Sequence, residues 1–109
     1  MHITQAELDD LVTRELAKAQ AASNGRSAVA VLKDGRLRHT LLAMTAGSVL
    51  NEHPKPESAT LQVLRGRIVV RWNGESVTIS HGGLYVLPDA LHDVLAETDS
   101  VFLLTTIAR

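Results

Sequence analysis

The first 26 residues carry the apolar spacing of one amphipathic helix. Apolar side chains recur every three or four positions over residues 4–22, which places them on one helical face. Thr4 and Glu7 have the spacing of a capping box at its start, and Gly25 is a typical stop. The apolar face consists of Leu8, Leu11, Val12, Leu16 and Ala19. This face must cover either the outside of a sheet or a partner chain.

After residue 26 the pattern changes to short apolar or alternating runs that are separated by turn residues. Asp34-Gly35 and Asn73-Gly74 are strong signals for tight hairpins. Nine short strands without a second helix are typical of a β-sandwich or a closed β-barrel. We therefore expect an all-β fold with an N-terminal helix and lead-in at 1–26 and a barrel at 27–109, in one domain. The predicted strands are 27–33, 37–44, 49–53, 60–65, 68–72, 76–80, 84–87, 91–96 and 101–107.

Composition narrows the functions that such a barrel can have. The 109 residues include 11 basic and 12 acidic side chains, a balance that gives no general attraction to nucleic acid or anionic membrane. There is no cysteine, so a metal would need His, carboxylate or amide ligands. No apolar run approaches the ~18 residues of a membrane span. We expect a cytoplasmic protein without nucleic-acid or membrane partners.

Two histidines stand in a recognisable glycine and proline framework. Five residues separate Gly47 from His53, and Gly66 follows thirteen residues after His53; further on, five residues separate Gly82 from Pro88, and His92 follows. This arrangement resembles the two motifs of the cupin family over residues 27–107. The chain departs from the family pattern where Lys55 stands in place of a second histidine and Ala59 in place of a glutamate.

The resemblance implies a cupin-type double-stranded β-helix, which is a jelly-roll barrel, with His53 and His92 directed into it. A divalent cation needs three or more converging donors, and these two histidines supply two. Glu57, in the proline-rich loop, and the amide of Gln62 are the candidates for a third. Simple alternation turns Gln62 away from Ala59, so Gln62 could bind the metal only if a bulge reversed the direction of its side chain. The expected cofactor is one divalent metal, Fe, Mn, Ni or Zn.

Further side chains are candidates for lining a ligand pocket inside the barrel. These are His39, Leu41, Lys55, Leu61 and Trp72. Simpler interpretations stand beside these functional ones. His53 and His92 can form a hydrogen-bonded pair, Glu57 can pair with Lys55, and Trp72 can serve packing alone.

Three functions fit these residues. The first is a small cupin that binds a small ligand, with or without a metal on His53 and His92, and has little or no catalytic activity. The second is a metal-dependent cupin enzyme of the dioxygenase or isomerase kind. The third is a regulatory sensor without its own DNA-binding domain. A homodimer is expected in each case, because the first strands resemble those that pair between cupin subunits.

Overall fold

The computed structural model describes residues 1–54 and 57–108, and only the backbone at residues 52 and 53. The predicted helix and nine strands are confirmed, with bounds that differ by at most two residues. They are α1 (Gln5–Ala21), β1 (Arg26–Asp34), β2 (Leu37–Met44), β3 (Val49–His53), β4 (Ser58–Arg65), β5 (Arg67–Trp72), β6 (Glu75–Ser80), β7 (Leu84–Val86), β8 (His92–Ala96) and β9 (Ser100–Ile107). No helix in the described ranges has the length and apolarity to cross a membrane.

The nine strands form two antiparallel sheets that pack face to face. One sheet has the order β1-β2-β9-β4-β7, and the other has the order β3-β8-β5-β6. The two predicted hairpins join β1 to β2 and β5 to β6, and Asn73 and Gly74 take positive φ values of 46° and 76°. Such values at both central positions suit the tight turns of twisted hairpins. The architecture is a jelly roll of two sheets, as the sequence predicted.

The core between the sheets is built by strand alternation. On β4, Ala59, Leu61 and Val63 are at most 3% exposed and point between the sheets, where they meet Phe102 of β9. From the opposite sheet, Ile68 and its neighbours complete this core. Because successive side chains of a strand point to opposite faces, the residues between these positions face outward. The full set of buried residues is Met44, Ala59, Leu61, Val63, Ile68, Val70, Ile79, Leu87, Val94, Ala96 and Phe102.

Helix α1 covers the outer face of the five-stranded sheet. Its capping box is present, since the Thr4 hydroxyl accepts from the Glu7 amide at 3.2 Å and the Glu7 carboxylate accepts from the Thr4 amide at 3.3 Å. Val12 and Ala19 pack on Leu41 and other residues of the outer sheet face. The sheet therefore accounts for the apolar face of α1, and a partner chain is not needed to cover it.

A charged residue lies within this helix–sheet interface. Glu15 is only 1% exposed, and its carboxylate accepts hydrogen bonds from the Ser27 hydroxyl of β1 and, at 3.0 Å, from the Lys18 ammonium. Burial raises the pKa of this carboxyl, but the hydrogen bonds from Ser27 and Lys18 and the nearby positive charges outweigh that effect, so its pKa lies below the ordinary value. Glu15 thus remains ionised at neutral pH and fixes the helix to β1.

One end of the barrel is closed by tightly packed turns, and we call it the closed end. Gly66, between β4 and β5, has φ +84°, and a Cβ there would lie 2.3 Å from the Asp99 carbonyl oxygen. The buried Ser100 hydroxyl accepts from the Arg67 amide at 3.0 Å, and the Asp99 carboxylate accepts from the Ala46 amide at 2.8 Å. The turns that follow β2, β4 and β8 are thereby joined to one another.

Candidate functional site

The candidate site lies at the opposite end, where β8 begins with His92. The His92 side chain is 1% exposed, and its Nδ1 lies 3.0 Å from the carbonyl oxygen of Ala90. A carbonyl oxygen only accepts hydrogen bonds, so Nδ1 is the donor of this bond. Histidines that bind metals or accept a ligand proton are commonly oriented in this way by the other ring nitrogen.

A β-bulge determines where His53 lies along the ladder. Val49 pairs with Leu95 and Leu50 pairs with Val94, but the register then shifts and His53 pairs with His92. The shift is a β-bulge, in which β3 has one extra residue between Leu50 and His53. The two histidines, 39 positions apart in sequence, are direct cross-strand partners in the backbone. The side chain of His53 lies outside the described residues.

Aromatic and apolar side chains lie at the same end of the barrel as His92. Arg71 pairs with Asp93, so Trp72 comes level with His92 on the neighbouring strand. The ring of Trp72 lies 6.5 Å from that of Tyr85, tilted by 38°, and both pack against the core that includes Leu61. Burial, and next the negative charge of Glu75, raise the pKa of Tyr85, so its phenol stays protonated at physiological pH. We call this group the mouth, defined by Leu61, Trp72, Tyr85, His92 and Leu104.

The two predicted third metal donors do not lie at the mouth. Glu57 is exposed and forms an ion pair with Arg36. Gln62 sits between Leu61 and Val63, which both point into the core, so its side chain faces outward, with its Nε2 3.4 Å from the Gly82 carbonyl oxygen. The bulge on β4 comes after Val63, too late to reverse Gln62. The predicted ligand residue Lys55 lies outside the described residues.

His39 and Leu41 occupy a different place from the one expected. Leu41 is fully buried beneath α1 with Val12 and Ala19, on the outer face of the sheet. His39 is two residues earlier on the same strand and therefore shares that face. It lines a surface groove of about 430 Å³ with Leu32 and Leu37. Neither residue lines the barrel. The sequence did not reveal this, because the second half of β2 is apolar on both faces, with Leu41 and Ala43 on one and Leu42 and Met44 on the other.

The donors at the mouth can be compared with what a metal requires. Among the described residues, no three His, Cys, Asp or Glu side chains come together in a group that would hold a metal ion. Three polar or charged residues of the described chain are buried: Glu15 lies on α1 at the helix–sheet interface, Ser100 lies at the closed end, and His92 lies at the mouth. The described side chains therefore do not fit the three-donor set of a catalytic metal centre. What they form is a mostly apolar mouth with one oriented imidazole.

The sequence matches no protein-family model, and no curated protein is a significant match. Solved structures do match. A cupin superfamily protein from Desulfitobacterium hafniense has a TM-score of 0.72 at 15% identity, with 84% of this chain and 87% of that chain covered. An RmlC-like cupin from Desulfovibrio desulfuricans has a TM-score of 0.68 at 22% identity, covering 75% and 81%.

A larger enzyme is also similar in fold. Salicylate 1,2-dioxygenase from Pseudoaminobacter salicylatoxidans, in a variant with gentisate bound, matches with a TM-score of 0.77 at 19% identity. The match covers 90% of this chain and 32% of that chain, so this protein corresponds to about a third of the enzyme. At such identities the likeness shows the fold alone. The chain has the cupin fold.

Proposed function

We propose that this chain, a protein of the cupin fold, is a non-catalytic binding protein that takes a small, ring-bearing molecule at the mouth of its barrel. The observation that carries the proposal is the buried His92, whose Nδ1 donates to the Ala90 carbonyl oxygen and which lies level with Trp72 of the Trp72–Tyr85 pair on the neighbouring strand. Ligand pockets typically combine apolar and aromatic walls with a small number of oriented polar groups. The mouth has that composition.

The aromatic pair supports a planar ligand. Offset or tilted aromatic contacts stabilise a ring by about 0.5–1.5 kcal/mol beyond the apolar area that is buried. Leu61 and Leu104 provide further apolar contact on the five-stranded sheet. The gentisate that the dioxygenase variant binds is a planar ring with polar substituents, and it is a suitable first probe.

We further propose that a divalent metal binds at the mouth only as an exchangeable ligand, through His53 and His92, with water in its remaining positions. The cross-strand register of the two residues supports this arrangement. Glu57, paired with Arg36, and the outward Gln62 do not complete the set. Micromolar or weaker affinity for Zn²⁺ or Ni²⁺ is therefore expected.

Trp72 is the single tryptophan of the chain, so its fluorescence reports on the mouth without a label. The protein is titrated with gentisate and with hydroquinone, the same ring without the carboxylate. We expect saturable quenching by one or both in the wild type and at least tenfold weaker binding in His92→Ala. His39→Ala is the matched control, because that histidine lies on the outer sheet face, and it should bind like the wild type.

The metal is tested separately, on protein purified without a nickel column. Calorimetry with Zn²⁺ and Ni²⁺ alone should show weak binding that His92→Ala removes and His39→Ala retains. Stoichiometric metal in the purified wild type that is lost in His92→Ala would replace this proposal with the metal-dependent enzyme. Absence of any ring binding, or equal binding by the wild type and His92→Ala, would overturn the proposed site.

A further inference from the structure

A second cavity lies away from the mouth, where the edges of the two sheets approach each other. β1 ends the order of the five-stranded sheet and β3 ends that of the four-stranded sheet. Between them is a slot of about 230 Å³, which we call the edge slot. Its walls are mostly apolar, and it is lined by Arg26, Ser27, Ala28, Leu42, Ala43, Met44 and Leu50.

The shape of the edge slot follows from small and large residues on facing strands. Ala28 on β1 has a short side chain and leaves space. Leu42 and Met44 on β2 point away from the helix, on the opposite face from Leu41, and join the barrel core. Leu50 reaches the same space from β3. The cavity is therefore a cleft that opens at the sheet edges and has its floor on the core.

Arg26 places a positive charge at this apolar cleft. Its Nη1 donates to the Val49 carbonyl oxygen, which holds the half-buried guanidinium across the gap between β1 and β3. A guanidinium has five N–H donors, and this bond uses one. Within the part of the chain that the structure describes, no carboxylate lies within ion-pair distance of Arg26, whereas Arg14, Arg36, Arg67 and Arg71 each have one.

We propose that the edge slot binds a short- to medium-chain carboxylate, with its hydrocarbon chain among Leu42, Met44 and Leu50 and its carboxylate on Arg26. A half-buried cation without a counter-charge favours an anion, and guanidinium and carboxylate match in geometry for paired hydrogen bonds. The apolar floor favours an unbranched hydrocarbon over a polar metabolite. The small volume limits the chain to a length near that of hexanoate or octanoate, below typical ligand pockets of about 300–1,000 Å³.

The test is calorimetric titration of the full chain with butanoate, hexanoate, octanoate and 1-octanol. Each added CH₂ should strengthen carboxylate binding about fourfold until the slot is full. Octanol, which has no charge, should bind at least tenfold more weakly than octanoate. Equal affinities for octanoate and octanol, or no binding of any carboxylate, would overturn the proposal.

Variants separate the slot from other surfaces. Arg26→Gln should weaken octanoate binding at least tenfold, and Arg67→Gln, a change to an exposed arginine paired with Glu97, should not. Ala28→Leu fills the slot from a residue outside the buried core and should abolish binding even if Arg26→Gln folds poorly. Retention of octanoate affinity in Ala28→Leu would refute the location.

Octanoate binding at the edge slot should not depend on the mouth residues. His92→Ala should leave octanoate affinity within twofold of the wild type, because the slot residues and the mouth residues do not overlap. Loss of octanoate binding in His92→Ala together with retention in Ala28→Leu would assign the carboxylate to the mouth and refute the edge slot.

Discussion

Removing the hydroxyl of Ser27 tests how a buried carboxylate can stabilise the helix–sheet interface. Ser27→Ala deletes a hydrogen bond to Glu15, which is 1% exposed. A hydrogen bond to a charged group contributes roughly 1.5–3 kcal/mol. We expect a loss of that size in the free energy of unfolding, and a fall in Tm of roughly 5–20 °C.

The effect should depend on pH in a defined direction. The pKa of Glu15 is lowered in the folded chain, so its stabilising contribution is complete above the unfolded value of 4.5 and is lost as the pH falls through the folded pKa. Ser27→Ala removes one cause of that lowering. The difference in stability between the wild type and Ser27→Ala should therefore be largest at pH 7 and should shrink below pH 4.5.

Urea unfolding followed by circular dichroism at pH 7, 5, 4 and 3 measures both quantities. Ser76→Ala, at an exposed strand position, is the matched control, and its unfolding free energy should stay within about 0.5 kcal/mol of the wild type. A Ser27→Ala protein as stable as the wild type, or a difference that is the same at pH 7 and pH 3, would refute the assigned role of Glu15.

Two further predictions concern the closed end and the assembly. Gly66→Ala should lower the free energy of unfolding in urea by about 2–4 kcal/mol, because Gly66 combines a positive φ with backbone crowding. Gly74→Ala is the control: Gly74 also has a positive φ but has open space around it, so the loss should be about 1 kcal/mol. Equal losses in the two variants would contradict the crowding argument. The homodimer stays a prediction: sedimentation at micromolar concentration should give twice the 11.8 kDa mass of one chain, and a single-chain mass would exclude it.

Much of the fold was predictable because its signals are local. The capping box at Thr4 and Glu7, the Asn73-Gly74 turn and the alternation along β4 each depend on residues that are close in sequence. Such signals identify elements and their bounds, and here they identified the helix and the nine strands. They also gave the cupin fold through the spacing of the glycines and histidines.

The site was less predictable because its geometry depends on contacts between distant elements. No residue type marks the bulge in β3 that brings His53 opposite His92. Leu41 and Leu42 are equally apolar, so the sequence did not show which of them faces α1 and which faces the core. Glu15 interrupts an apolar helix face, and its partner Ser27 lies in another element, so its burial was not foreseen.

The closed end has a consequence for how this protein can diversify. Gly66, Asp99 and Ser100 tie the turns there into one crowded unit, and a methyl group added at Gly66 has no space. The loops at the opposite end carry no comparable constraint at Gly74, where nothing lies within 4 Å of an added Cβ. Insertions and recognition loops should be accepted at that end with little loss of stability. A designer seeking a new specificity would therefore vary the hairpin at 73–74 and leave the closed end unchanged.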